Sequence, residues 1–289
     1  MAKTDRNTPS KDITKVAGTA PNFLAQYVEE DTSLDTMNQF VSVPRLKLIQ
    51  PMTDPQLKDL FGEGTCIVRP GDAVVCKKDE TFLFVPQFFF TEWCLWGDRR
   101  DKESPAILGR TFDPTSEIAK KAGNKATRFE IYPGQEAKSD DDKWVKRYVQ
   151  HFCFPGVIYG QHPLVGQAIV LSFERGEIGQ GFNFINSIKM RRAEVEITPG
   201  ESRSVKVPLW AQVWALTVKR RVNDQGNWYG FDFGPPEDAP NTITAEESDA
   251  FKAAHLELSR LHEDRRLVVD HGGQDEAVAT DPPVDSGKF

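Results

Sequence analysis

The sequence predicts a mainly β protein of the α+β class, with helical insertions, a C-terminal helix and disordered ends. Between Thr65 and Trp96, short apolar runs alternate with turn signals, a spacing typical of barrels and sandwiches. The loop 223–226, rich in Asn, Asp and Gly, separates two aromatic runs as in a β-hairpin. After Pro235 and Pro236, apolar residues recur at helical spacing. These observations place strands in the body and a helix behind it.

Residues 1–42 are expected to form a flexible N-terminal segment. Residues 1–20 are polar and show no hydrophobic period, which is typical of disorder. Residues 22–30 (NFLAQYVEE) are compatible with either a short helix or a segment that binds a partner. We therefore start the folded body at residue 43.

The first part of the body is predicted to contain four strand runs and a short helix. Residues 44–49 alternate apolar and basic side chains, as an edge strand does. Asp54 and Pro55 then indicate the start of a helix that ends at Gly62, because proline suits the first helical position and glycine the position past the end. The strand runs that follow are CIVR, AVVCK and TFLFVPQFFFTEWCLW.

The second part of the body is predicted to alternate strands, loops and two helices. The helices are placed at 115–122, ended by Gly123, and at 181–192, and residues 137–143 are interpreted as a solvated loop. The remaining strands are predicted at 143–154, 167–174, 207–222 and 227–233.

The C-terminal region is predicted to be one helix followed by a disordered acidic tail. Thr244 and Glu247 have capping-box spacing for a helix that runs to about Arg266. The last twenty residues hold five acids, one Lys and no hydrophobic period. The predicted division is a flexible segment 1–42, a body 43–236, a helical segment 237–269 and a tail 270–289.

The formal charge of the chain is −7, from 36 basic and 43 acidic residues in a length of 289. Residues 237–289 hold 13 of the acids and 5 of the bases, which leaves 30 acids and 31 bases in residues 1–236. The body is thus nearly neutral, and the overall charge does not exclude a polyanionic ligand. No apolar run is long enough for a membrane-spanning helix, and the N-terminus has no apolar stretch typical of a secretory signal, so a cytoplasmic location is expected.

The sequence offers little evidence for catalysis. The four cysteines, Cys66, Cys76, Cys94 and Cys153, lack CxxC spacing and are interpreted as buried reduced thiols. His151 and Cys153 could supply two metal ligands, but another pair would have to come from distant strands. Because phosphate-binding glycine loops, GxSxG and HExxH motifs are also missing, we expect neither an enzyme nor a bound cofactor or metal.

Aromatic and basic side chains along predicted strands are the most informative feature. Successive strand residues point to opposite faces, so the even positions of 143–154 place rings together with Lys and Gln. The odd positions hold Val145, Val149 and Cys153 beside Arg147 and His151 and are interpreted as the core side. A solvated face of rings and cations is typical of single-stranded nucleic-acid binding, because bases stack on rings and cations neutralise phosphates. The alternative is that the rings form the core.

Two further basic patches adjoin aromatic residues. One is the end of the strand 207–222, where residues 219–221 follow two tryptophans; charges that meet water at a strand end are the alternative explanation. The other closes the helix 181–192. The candidate DNA-binding residues are Trp144, Lys146, Arg147, Tyr148, Phe152, Lys189, Arg191, Arg192, Trp210, Trp214, Lys219, Arg220, Arg221, Trp228 and Tyr229.

The chain resembles bacteriophage single-stranded-DNA-binding proteins over residues 43–233 and the tail. The resemblance rests on ring-bearing strands, an opening PRLKLIQ run, a hairpin with Gly226, Trp228 and Tyr229, and the tail ATDPPVDSGKF, which ends in Phe289. It implies an OB-like β-barrel and sequence-independent binding of single-stranded DNA during phage replication, recombination and repair, in the host cytoplasm.

The resemblance also implies a role for the tail. The tail would occupy the basic groove in the absence of DNA and recruit replication proteins such as a DNA polymerase or a helicase. The tail residues concerned are Asp275, Glu276, Asp281, Asp285 and Phe289. A homo-oligomer is compatible with the sequence, and no membrane partner is expected. The alternative function is a virion-associated or structural β-protein with buried rings and no DNA binding.

Overall fold

The computed structural model describes residues 41–97, 107–123, 127–132, 135–136, 146–224 and 226–269, and these residues are mostly β, as predicted. The helices are α1 (Pro55–Phe61), α2 (Glu117–Ala122), α3 (Ile178–Met190) and α4 (Ser248–Glu263). The strands are β1 (Val41–Val43), β2 (Arg45–Leu48), β3 (Cys66–Arg69), β4 (Ala73–Cys76), β5 (Thr81–Pro86), β6 (Phe90–Gly97), β7 (Ile107–Thr111), β8 (Thr127–Tyr132), β9 (Gln135–Glu136), β10 (Lys146–Tyr159), β11 (Ala168–Glu174), β12 (Arg192–Thr198), β13 (Glu201–Lys206), β14 (Trp214–Asn223), β15 (Gly226–Gly234) and β16 (Leu267–Val269).

The long strand β10 is the centre of a large sheet. The main path of that sheet is β15-β14-β5-β10-β11-β2-β3-β4, and β6, β7, β8 and β9 branch from it. On one side β10 pairs with β5 and β6, and on the other side with β8 and β11. Two smaller sheets are separate: β1 pairs with β16, and β12 pairs with β13 in a ribbon.

Both faces of this sheet are buried. Even residues of β10, such as Phe152 and Phe154, face the α3-side core, which includes Phe184 of helix α3. Odd residues, such as Cys153 and Val157, face the α4-side core, which includes Leu258, Leu261 and other apolar residues of α4 and β16. A strand covered on both faces loses the alternation of apolar and polar residues that marks a half-exposed strand.

The sheet is not closed into a barrel, so the OB-like barrel expected from the resemblance is wrong. The path ends at β15 on one side and at β4 on the other, and no ladder joins these two strands among the described residues. An open sheet buries its two faces separately, and here helix α4 and strand β16 cover the face opposite to helix α3.

The predicted helices form, with shifted ends. Helix α1 is capped by the Asp54 carboxylate, which accepts a hydrogen bond from the Gln56 amide, and it ends at Gly62 as expected. Helix α3 begins three residues earlier than predicted. Helix α4 begins after the predicted capping pair: Glu247 accepts a bond from the Thr244 amide, but Thr244 itself lies four residues before the helix.

Several predictions concern segments outside the described residues. These are residues 1–40 of the predicted flexible segment 1–42, the loop 137–143, Trp144 and the tail 270–289. Residues 41 and 42 of that segment belong to β1 instead. In the part of the chain that the structure describes, the helices are too short and too polar to cross a membrane.

Candidate nucleic-acid interface

The predicted ring face of β10 lies in the protein interior. Tyr148 and Phe152 are each 3 % exposed, so neither ring offers a face to a nucleic-acid base. Arg147 is buried too, and its guanidinium lies 5.1 Å from the centre of the Trp96 ring. Lys146 is half-buried. The expectation of an exposed ring face was wrong because the sheet is covered on both sides.

The two tryptophans expected to share a strand face belong to different cores. Trp214 starts β14 and is buried in the α3-side core, beside Phe184 and Phe233. Trp210 lies in a 3-10 turn, Leu209–Ala211, and packs against the α4-side core. The run 207–222 was predicted as one strand, but the chain turns at Leu209–Ala211, so the alternation rule does not apply across it.

The hairpin β14–β15 forms as predicted, and most of its charged and aromatic residues are paired within the protein. Lys219 donates a hydrogen bond to Asp79 at 2.8 Å, and this bond lowers the pKa of Asp79. Arg221 bonds to both Glu177 and Asp232, and Trp228 also donates to Glu177. Tyr229 is buried.

Arg220 differs from its neighbours on β14. It is exposed, and we find no ion pair for it among the described residues. Of the three consecutive basic residues 219–221, Arg220 is therefore the one available to a phosphate.

The three basic residues at the end of α3 also differ from one another. The Arg191 guanidinium stacks on the Trp214 ring at 4.3 Å and donates to the Val213 carbonyl at 2.8 Å. Burial lowers the pKa of Arg191. Lys189 and Arg192, in contrast, are exposed. Arg191 is thus part of the packing, while the other two can meet a ligand.

A cavity of about 430 Å³ lies beside these exposed cations. It is bounded by the end of α3, the end of β13 and the turn Leu209–Ala211. Its lining residues are Phe89, Phe154, Ile185, Ile188, Lys189, Lys206, Val207, Pro208, Leu209 and Gln212. Among these described lining residues none is acidic, and the two charged ones are lysines.

A chain of ring contacts leads from this cavity to the protein surface. Phe89, in the cavity wall, packs against Phe152 with ring centres 6.0 Å apart. Phe152 in turn packs edge-to-face against Phe182, at 4.7 Å. Phe182 is 54 % exposed. We call the surface formed by the cavity and Phe182 the α3 groove.

Lys189, Lys206 and Arg192 form the cationic border of the α3 groove. Lys206 lies directly opposite Arg192 in the β12–β13 ribbon, and Lys189 lies on α3 seven residues after Phe182, on the same helix face. The sequence had identified Lys189 and Arg192 but missed Phe89, Phe182 and Lys206. The seven-residue spacing of Phe182 and Lys189 was a local signal for Phe182. Phe89 and Lys206 reach the cavity through long-range packing, which local sequence does not reveal.

Comparisons with known proteins define the family of the chain. No curated protein and no solved structure matches it. A family described as Pam3 phage gp34-like protein matches residues 14–262, which is most of the chain. The protein therefore belongs to the Pam3 phage gp34-like family of bacteriophage proteins.

Proposed function

We propose that this phage protein binds single-stranded DNA without sequence preference, through the α3 groove. The observation that carries the proposal is an apolar, partly ring-lined cavity with Lys189 and Lys206 in its wall and no acidic residue among the described lining. An apolar cavity suits the flat face of a base, and the cations suit the phosphates on either side of it.

The energetics favour a ligand that carries both rings and negative charge. Stacking on an exposed ring is worth about 1–3 kcal/mol per base and depends little on base identity. Phe182 offers such a ring, and Phe89 offers a second one inside the cavity. Each phosphate that Lys189, Lys206 or Arg192 neutralises releases counterions, which makes the affinity dependent on salt.

The proposed role is protection of single strands during phage DNA replication, recombination and repair. The membership in a phage family and the resemblance described above support this role. The acidic tail, with Phe289 at its end, would compete with DNA for the cationic border and recruit a polymerase or a helicase. Because the tail is tethered, its effective concentration at the groove is high even if its intrinsic affinity is low.

The proposal is tested by fluorescence anisotropy with a labelled oligo-dT. We expect micromolar or tighter binding that weakens as salt rises. Phe182→Ala should weaken binding by about tenfold, the equivalent of one stacked base. The double charge reversal Lys189→Glu and Lys206→Glu should weaken it further and reduce the slope of log K against log salt.

Matched controls lie on the opposite side of the molecule. Leu256, 57 % exposed on α4, is the apolar control for Phe182, and the exposed Lys252 is the charge control. Leu256→Ala and Lys252→Glu should leave affinity within twofold. Absence of salt-dependent oligo-dT binding by the wild-type protein would overturn the proposed function, and equal losses in groove and control variants would overturn the proposed site.

A second candidate is a structural role in phage assembly, favoured by the β12–β13 ribbon. Its two strands pair with each other, and no other described strand pairs with them. Val195 and Ile197 are exposed on it, and isolated two-stranded ribbons are marginally stable in water. Replacement of Val195 and Ile197 by Ser, which leaves the ribbon and its basic residues in place, should then reduce the oligomeric mass measured by light scattering without changing oligo-dT binding.

A further inference from the structure

A row of ionisable side chains, fully buried at its centre and partly exposed at Arg45 and Glu174, crosses the sheet on its α4 side. Each of five neighbouring strands contributes to it. The members are Arg110 (β7), Glu92 and Cys94 (β6), His151 (β10), Glu174 (β11) and Arg45 (β2). Glu92, Cys94 and His151 at the centre of the row are fully buried.

The register of the strands creates this row. His151 lies directly opposite Glu92 on one side and Glu174 on the other. Cys94 follows Glu92 by two positions, so its side chain points to the same face of the sheet. In sequence, Cys94 and His151 are more than fifty residues apart, which is why cysteine spacing along the chain does not reveal them.

The geometry at the centre suits a metal ion. One ligand atom from each of Glu92, Cys94 and His151 can be chosen so that all three lie within 4.8 Å of one another. The His151 Nδ1 atom is 3.8 Å from Glu92 Oε2. Ligands of a tetrahedral zinc ion are separated by about 3.3–3.8 Å, so the His151–Glu92 distance already matches, and metal binding would draw the remaining atoms together from within 4.8 Å.

We propose that the Glu92 carboxylate, the Cys94 thiolate and the His151 imidazole bind a zinc-like divalent transition metal. A thiolate and an imidazole together favour zinc over the hard cations magnesium and calcium, which take oxygen ligands. One buried water molecule completes the tetrahedral coordination, because the three protein ligands have no access to bulk solvent.

The residues flanking the three ligands are charged groups of the kind that surround metal ligands. Glu174 Oε2 lies 3.1 Å from His151 Nε2, which places a second carboxylate beside the imidazole. Arg110 lies 3.6 Å from Glu92 Oε1, which places a positive charge beside the carboxylate. Arg45 lies 3.8 Å from Glu174.

The role of this metal is structural. It ties β6 to β10, and through Glu174 it also fixes β11, at a place where the three ligands have no access to solvent. Because the site forms only when these strands pair, the binding free energy of the metal adds to the stability of the fold. The site lies on the α4 side of the sheet and is independent of the α3 groove.

The test uses the full-length wild-type protein. We expect purified protein to carry one zinc per chain by elemental mass spectrometry. Unfolding and refolding with Co²⁺ should give tetrahedral d–d absorption and a sulfur-to-cobalt charge-transfer band. Removal of the metal with a chelator should lower the melting temperature by several degrees, and addition of Zn²⁺ should restore it.

Variants assign the ligands. Cys94→Ser should abolish the charge-transfer band, whereas Cys66→Ala, which removes a buried thiol in the α3-side core, should keep it. Glu174→Gln should retain one metal per chain, because Glu174 lies beside His151 but is not one of the three ligands. Wild-type protein that carries no metal and shows no charge-transfer band with Co²⁺ overturns the proposal, even if Cys94→Ser does not fold. Retention of the band in folded Cys94→Ser also overturns it.

Discussion

Gln50 and Tyr229, 179 positions apart, are joined by two hydrogen bonds. The Gln50 side chain donates from Nε2 to the Tyr229 carbonyl at 2.8 Å and accepts from the Tyr229 amide at 2.7 Å. Tyr229 lies in β15, at one end of the sheet path, while Gln50 follows β2 near the other end. The side-chain amide thus takes the place of a neighbouring strand and bridges the open sheet.

Replacement of Gln50 should destabilise the fold. Gln50→Ala leaves the Tyr229 amide and carbonyl without these bonds, so we expect the free energy of unfolding to fall by about 2 kcal/mol. Chemical denaturation measures the change. Gln56→Ala, on the exposed face of α1, is the control and should change it by less than about 0.5 kcal/mol. Equal effects of the two substitutions would contradict the bridging role of Gln50.

Arg191 should affect stability more than DNA binding. Arg191→Ala removes the cation–π contact with Trp214 and the bond to the Val213 carbonyl, so we expect a loss of about 2 kcal/mol in unfolding free energy. Lys189→Ala, two residues away and exposed, should cost less than about 0.5 kcal/mol but weaken oligo-dT binding. If Arg191→Ala weakens oligo-dT binding in anisotropy but leaves the unfolding free energy unchanged in denaturation, Arg191 contacts DNA and the packing role is wrong.

Two glycines should respond to alanine in opposite directions. A Cβ atom on Gly156 of β10 would overlap the Val85 carbonyl oxygen and the Phe84 ring, so Gly156→Ala should cost about 3 kcal/mol or prevent folding. At Gly179 of α3 a Cβ atom meets nothing within 4 Å, and alanine has the higher helix propensity. Gly179→Ala should therefore raise the unfolding free energy by about 0.5–1 kcal/mol. Thermal denaturation measures both effects: the melting temperature should fall for Gly156→Ala and rise for Gly179→Ala.

His262 should make the protein less stable in mild acid. Its ring lies among Phe88, Phe90 and Phe112, with ring centres 5.3–5.5 Å away, and burial lowers its pKa below 6.5. As the pH falls below 6.5, the unfolded chain takes up the proton before the folded protein does, so stability decreases. His262→Leu should reduce the stability difference between about pH 7.5 and pH 5.5. If His262→Leu leaves this stability difference unchanged, a group other than His262 causes the loss of stability in acid.

Removal of the acidic tail should strengthen DNA binding at low salt. Deletion of residues 270–289 removes five acids and one Lys, and with them the tethered competitor for the cationic border of the α3 groove. The gain in oligo-dT affinity should shrink as salt rises, because screening weakens the tail as well. Identical affinity of the two proteins at low salt would exclude competition by the tail.

Local sequence signals predicted many secondary-structure elements of this protein. Asp54, Pro55 and Gly62 defined α1 because capping and helix termination depend on neighbouring residues. The hairpin at 223–226 formed for the same reason. Strand β16 was missed because it is only three residues long. The β12–β13 ribbon was missed although its alternating charged and apolar residues around Pro199 and Gly200 are a hairpin signal.

The candidate site was predicted less well than the fold. Lys189 and Arg192 were identified, but the rings expected beside them, including Tyr148 and Trp214, are core residues. Period-two alternation shows which residues share a face of a strand, but it does not show whether that face meets water or a second layer. The covering layer, α4 with β16, comes from a part of the chain more than ninety residues beyond the middle of β10.

The sequence by itself determined the mainly β composition, the positions of the helices and the contrast between a nearly neutral body and an acidic tail. These properties follow from local propensity and from counting charges. The tertiary structure decided that the sheet stays open, that it is covered on both faces, that the α3 groove has a cationic border, and that Glu92, Cys94 and His151 lie together. Each of these depends on strand register and on packing between distant segments, because side chains far apart in sequence become neighbours only after the strands have paired.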